Sequence, residues 1–116
     1  MSIVTPKTLR QRLMQSAVLN KIEKEGLSID TEPVRRSLAT IRRHVGHSPL
    51  MDHYLDRWDE IIRTQDLDTV RRIVETDDDT SREMRNLSPL SVLLNTDDRS
   101  HVLTEFGHKL EASLRG

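Results

Sequence analysis

The sequence predicts an all-α fold, a compact bundle of about six helices with no sheet, and three observations carry that prediction. Apolar residues recur at spacings of three and four along most of the chain, the period of a helix with one buried face. All four prolines (Pro6, Pro33, Pro49 and Pro89) stand where such an apolar series begins, and a first-turn position needs no backbone N–H. The composition is poor in what sheets and their turns require, with 3% aromatic residues and four glycines in 116 residues.

The elements follow in order. Thr5-Pro6 opens a first helix over residues 6–25, with Leu9, Leu13, Met14, Ala17, Val18 and Ile22 on one face and Gly26 as its stop. Thr31-Glu32-Pro33 opens a second over 32–45, carrying Val34, Leu38, Ile41 and Val45, with Gly46 at its end. Ser48 caps a third over 49–64. Its face of Met51, Tyr54, Leu55, Trp58, Ile61 and Ile62 is the richest in the chain, so this helix is expected at the centre of the core.

A fourth helix, 67–75, starts near Asp66 and uses Leu67, Val70, Ile73 and Val74. Thr76 to Asp79 form a loop and the next cap. A fifth segment, 80–94, is broken at Pro89 and carries Met84, Leu87, Leu90, Leu93 and Leu94. Asn95-Thr96 caps the last helix, 97–114, with Asp97 and Asp98 on its positive end. Val102, Leu103, Phe106, Leu110 and Leu114 make its stripe, and Gly107 within it suggests a close approach.

Length and balance bound the rest. The chain has room for one domain, residues 1–116, without a dividing linker. Hydrophobic residues make up 34% and charged residues 32%. That balance fits a bundle whose narrow apolar stripes leave most of each helix in water, or a chain that completes its core against a second copy. There is no cysteine, which rules out a disulfide framework, a thiol nucleophile and a zinc–thiolate site. No apolar run exceeds three residues, as in Val92-Leu93-Leu94, and Met1 to Pro6 lacks the layout of a signal peptide, so a cytoplasmic protein with no membrane contact is expected.

The net charge of −1 hides an asymmetry. Residues 1–51 carry nine Lys/Arg against four Asp/Glu, and residues 52–116 carry nine against fifteen. Either the first half meets an anionic partner or the two halves attract each other within one fold.

The second helix concentrates the positive charge. At about 100° per residue, Arg35 and Arg42 fall on one flank of its apolar face, and Arg36 and Arg43 fall together further round. His44 and His47 extend the strip, and no acid occurs from Pro33 to Met51. Forked guanidinium donors match phosphates and carboxylates, so the strip is a candidate surface for nucleic acid or for an acidic protein. Asp52, Asp56, Asp59 and Glu60 of the third helix could instead pair with it. A standard helix-turn-helix fits poorly, because the third helix is acidic on its outer side and would repel phosphates.

Catalytic and metal signatures are weak. His44, His47 and His53, with Asp52 and Asp56, straddle a helix end and meet only if the turn folds them together. Arg42 and His47 stand at a separation similar to the Arg–His pair of the HEPN ribonucleases, but Arg43 replaces the polar residue that follows the arginine there. The aspartate clusters at 77–79 and 97–98 lack the alternation and central glycine of a calcium loop and read as helix N-termini. The hydroxyls preceding prolines read as caps rather than nucleophiles.

The expectation is therefore a small non-enzymatic regulatory or adaptor protein, antitoxin-, inhibitor- or adaptor-like, needing no cofactor and no metal and acting by binding another protein. Its candidate residues are Arg35, Arg36, Arg42, Arg43, His44 and His47, with Phe106, Leu110 and Leu114 as a self-association face for a homodimer. The alternative is a nucleic-acid-binding regulator using the same arginines.

Overall fold

A computed structural model describes residues 5–46 and 48–115, the last three by backbone only. Six α-helices and one 3-10 turn account for nearly all of them, and no strand occurs among the described residues. The helices are α1 (Pro6–Glu25), α2 (Glu32–His44), α3 (Pro49–Thr64), α4 (Leu67–Glu75), α5 (Asp79–Asn86) and α6 (Thr96–Arg115), with the 3-10 turn at Pro89–Leu93. The Cα radius of gyration is 14.4 Å.

Each helix starts on the residue chemistry that its first N–H groups require. Thr5, Thr31, Ser48, Asp66 and Asp78 each accept a hydrogen bond from the backbone N–H three residues on. At α6, Asn95 and Asp98 cap each other reciprocally, N–H to side-chain oxygen, at 2.9 and 2.8 Å.

The exits are less uniform. Gly26 ends α1 in the left-handed region at φ +62°, as its position suggests. The expected stop at Gly46 is corrected: α2 ends one step earlier, with Val45 extended and donating its N–H to the Ile41 carbonyl. Val45 keeps its side chain half-buried against the core. A packed β-branched residue thus ends the helix where a glycine was expected to do so. Gln65 ends α3 at φ +51°, a conformation that a residue with a Cβ adopts reluctantly. Its side-chain oxygen accepts a 2.9 Å hydrogen bond from Ser28 Oγ, tying this corner to the α1–α2 loop.

The core forms around α3, as its apolar face predicts. Trp58 is 1% exposed, and its indole N–H donates to the Met84 carbonyl at 2.9 Å, filling one of the orphan acceptors at the end of α5. Leu55, Ile61 and Ile62 pack with Val18 and Ile22 of α1, Val34 and Leu38 of α2, Val70 and Ile73 of α4, and Leu90 of the 3-10 turn. Ile29, a loop residue outside every helical stripe, is fully buried.

The helix α6 stands apart from this cluster and packs chiefly on α1. Val102 is buried there, and Lys21 Nζ meets Asp98 Oδ2 at 2.6 Å. The close approach expected at Gly107 is not found among the described residues: apart from its own helix backbone and chain neighbours, no atom of theirs lies within 4 Å of where its Cβ would stand.

Candidate functional site

The arginine strip of α2 forms as a continuous row, but acids thread through it. Arg35 forks onto Asp30, with Nε–Oδ1 at 2.6 Å and Nη2–Oδ2 at 3.1 Å. It also reaches Asp59 of α3 at 3.4 Å. Hydrogen bonding from Arg35 holds the Asp30 carboxyl below the usual carboxylate range. Arg42 meets Asp56 of α3 at 2.8 Å. Arg36 meets Glu32 at 2.5 Å. That last pair corrects the expectation of a strip with no acid of its own helix: Glu32, the first residue of α2, stands just before the acid-free stretch from Pro33 to Met51 and reaches Arg36.

Arg43 donates to the hydroxyl of Thr40 at 3.2 Å, and no carboxylate pair is found for it. Arg43 and His44 are both exposed at the C-terminal end of α2. His47 lies outside the described residues, and with it the histidine cluster and the Arg42–His47 pair that include it. Among the described residues no group of three His, Asp or Glu is placed to hold a metal ion.

Energetically the strip is a solvated ion-pair surface. The Asp56 and Glu32 side chains are 71% and 82% exposed. Such pairs are worth about 0–1 kcal/mol each and yield readily to a competing ligand. Their consequence is electrostatic: Asp30, Glu32, Asp56 and Asp59 offset three of the four arginines, which leaves the field over α2 weak for a polyanion.

On the other candidate surface, Phe106 and Leu110 are half-buried, and Leu103 is 51% exposed. The side chain of Leu114 lies outside the described residues. Leu103, Gly107 and Leu110 follow at spacings of four and three, so they share one face of α6, beside the buried Val102 edge. The result is an apolar edge with a glycine at its middle that no described residue from elsewhere in the chain fills. Gly107 was legible in the sequence, but Leu103 was read there as part of the inward stripe.

No helix among the described residues is long and apolar enough to cross a membrane. Comparison with protein-family models, curated proteins and solved structures finds no match to this chain.

Proposed function

We propose that this protein is a small non-enzymatic regulatory or adaptor protein that works through protein contacts and pairs with a second copy of itself along α6. One observation carries the reading: the Leu103–Gly107–Leu110 edge, apolar, partly exposed and notched by a glycine whose Cβ position no described residue of another element approaches. Exposed apolar residues scattered singly are ordinary, but a row at helical spacing on a helix held chiefly by one neighbour is what an isologous helix pair uses. Two copies related by a two-fold axis can seat Leu103 of each in the Gly107 notch of the other. The neutralised arginine strip supports protein contacts over nucleic acid.

Light scattering on a size-exclusion column over a wide concentration range tests this. A dimer that dissociates on dilution is expected. Leu103→Glu should yield monomer without loss of thermal stability, since Leu103 is half in water already. Leu50→Glu, at a side chain 56% exposed on α3, should leave the dimer intact. A monomer at every concentration removes the pairing. A low-salt gel shift that retards DNA or RNA, weakened by Arg43→Gln, would favour the nucleic-acid reading instead.

A further inference from the structure

We propose that the furrow where α3, α4 and α5 meet is a binding site for a phosphate-class oxyanion. This cavity, of about 190 Å³, receives Arg57 from α3 and Arg72 from α4. It lies away from the α2 strip and from the α6 edge.

Charge is the first argument. Arg35, Arg36, Arg42, Arg71 and Arg82 each meet a carboxylate. Among the described residues no such pair is found for Arg57, and Arg72 donates to the Thr69 hydroxyl at 3.2 Å, while both arginines act on the nearby Asp66 through space. Behind the furrow wall lies a third cation, Arg85, 2% exposed. Its Nη1 donates to the carbonyls of Ile73 and Thr76, two residues that line the furrow, at 2.6 and 2.8 Å. Its Nε and Nη2 have no hydrogen-bond partner. Asp77 and Asp78 offset part of the charge of this enclosed guanidinium, and the remainder stands in a region of low dielectric, where it is felt more strongly than in water.

The acids nearby are already committed. Asp78 lines the furrow, and its Oδ1 accepts from the Ser81 N–H at 2.7 Å, closing the start of α5. Asp66 stands beside it, with both oxygens held by Thr69, at 3.2 Å from the N–H and 2.6 Å from the hydroxyl. Each carboxylate faces the positive end of a helix dipole, which offsets part of its charge. Both carboxyls lie below their usual range, held down first by these hydrogen bonds and then by the cations near them, Arg72 and Arg57 at Asp66 and Arg85 and Arg82 at Asp78.

Geometry is the second argument. Arginines from two different helices line the furrow together with the hydroxyl-bearing Thr76, Thr80 and Ser81, so donor groups come from α3, α4, the connecting loop and α5. That arrangement suits a tetrahedral oxyanion better than a planar carboxylate, and guanidinium with hydroxyl is the donor set phosphates favour. The volume admits a phosphate group with part of its hydration.

Calorimetric titration with inorganic phosphate, and separately with glycerol phosphate, at constant ionic strength in chloride buffer tests the assignment on the full chain. Saturable binding at one site is expected for at least one of them, and the stronger of the two tells a free oxyanion from a phosphomonoester. Arg57→Gln and Arg72→Gln should each weaken it tenfold or more. Thr80→Val, which changes no charge, should weaken it several-fold. Arg63→Gln, on α3 but outside the furrow, should not change it. Circular dichroism confirms that each variant is folded. Absence of saturable heat with both probes, or an equal loss in Arg63→Gln, overturns the site.

Discussion

Arg85 sets the hardest question at the scale of a single residue. Burial disfavours its charge, and Arg12 on α1 adds repulsion, so its guanidinium titrates below the usual arginine range. Against that cost stand two hydrogen bonds, to the carbonyl of Ile73 in the last turn of α4 and to that of its cap residue Thr76, and two aspartates nearby, Asp77 and Asp78. Removing the charge relieves the desolvation penalty, but it orphans two enclosed acceptors at about 1–3 kcal/mol each. The two bonds are expected to win. Arg85→Met should lower stability by about 1–3 kcal/mol, read from urea unfolding with an unchanged slope. A variant as stable as the parent would show that the desolvation cost matches what the bonds return. Nothing in the local sequence marks this arginine, since its neighbours Met84 and Leu87 define the buried face and Arg85 reads as flanking it. Its burial is a product of how α1, α4 and α5 close over it, and short-range pattern does not encode that.

At the scale of the element, helix starts were legible and helix exits were less so. A start needs side-chain oxygens and a tolerated proline within four residues, all of it local. Hence Thr5-Pro6, Thr31, Ser48-Pro49, Asp66, Asp78 and Asn95 each mark a start that the fold uses. An exit depends on what the next residue packs against. Val45 leaves α2 to lie against the core, and Gln65 takes a strained conformation that its Ser28 contact helps hold, so neither position announces itself. Ile29 is buried for the same reason, its contacts coming from distant helices. The arginine strip was legible as a row, but its neutralisation was only half legible. Asp56 and Asp59 stood out as candidate partners, whereas Asp30, just before the helix, and Glu32, its first residue, were passed over. Gly107 supplies the prediction at this scale. It lies inside α6 without a left-handed backbone and with open space at its Cβ position. Gly107→Ala should therefore stabilise the folded protein by about 0.5–1 kcal/mol through helix propensity. Thermal unfolding under dilute, monomeric conditions measures it. A loss of stability there would mean that something in the chain does occupy the notch.

For the whole molecule, the charge asymmetry between the two halves is spent at least partly inside the fold. Among the described residues, ion pairs such as Lys21–Asp98, Arg35–Asp59 and Arg42–Asp56 join a cation of the first half to an acid of the second. They tie α6 to α1 and α3 to α2, the same junctions that apolar contacts define. Arg71–Glu23 runs the other way and links α4 to α1. All four are at least partly exposed, so each is worth about 0–1 kcal/mol and is open to screening. Raising salt from 0.05 to 1 M shortens the Debye length from more than 10 Å to about 3 Å. Contact pairs are screened less than distant charges, so the loss should stay near 1 kcal/mol rather than the sum of the pairs. Urea unfolding at the two sodium chloride concentrations gives the value directly, since urea itself carries no charge. The midpoint should fall while the slope holds, because the surface exposed on unfolding does not change. Unchanged or increased stability would show that repulsion within each half outweighs attraction between them. In that case the asymmetry would serve something outside the chain, and an oppositely charged partner would become its best explanation.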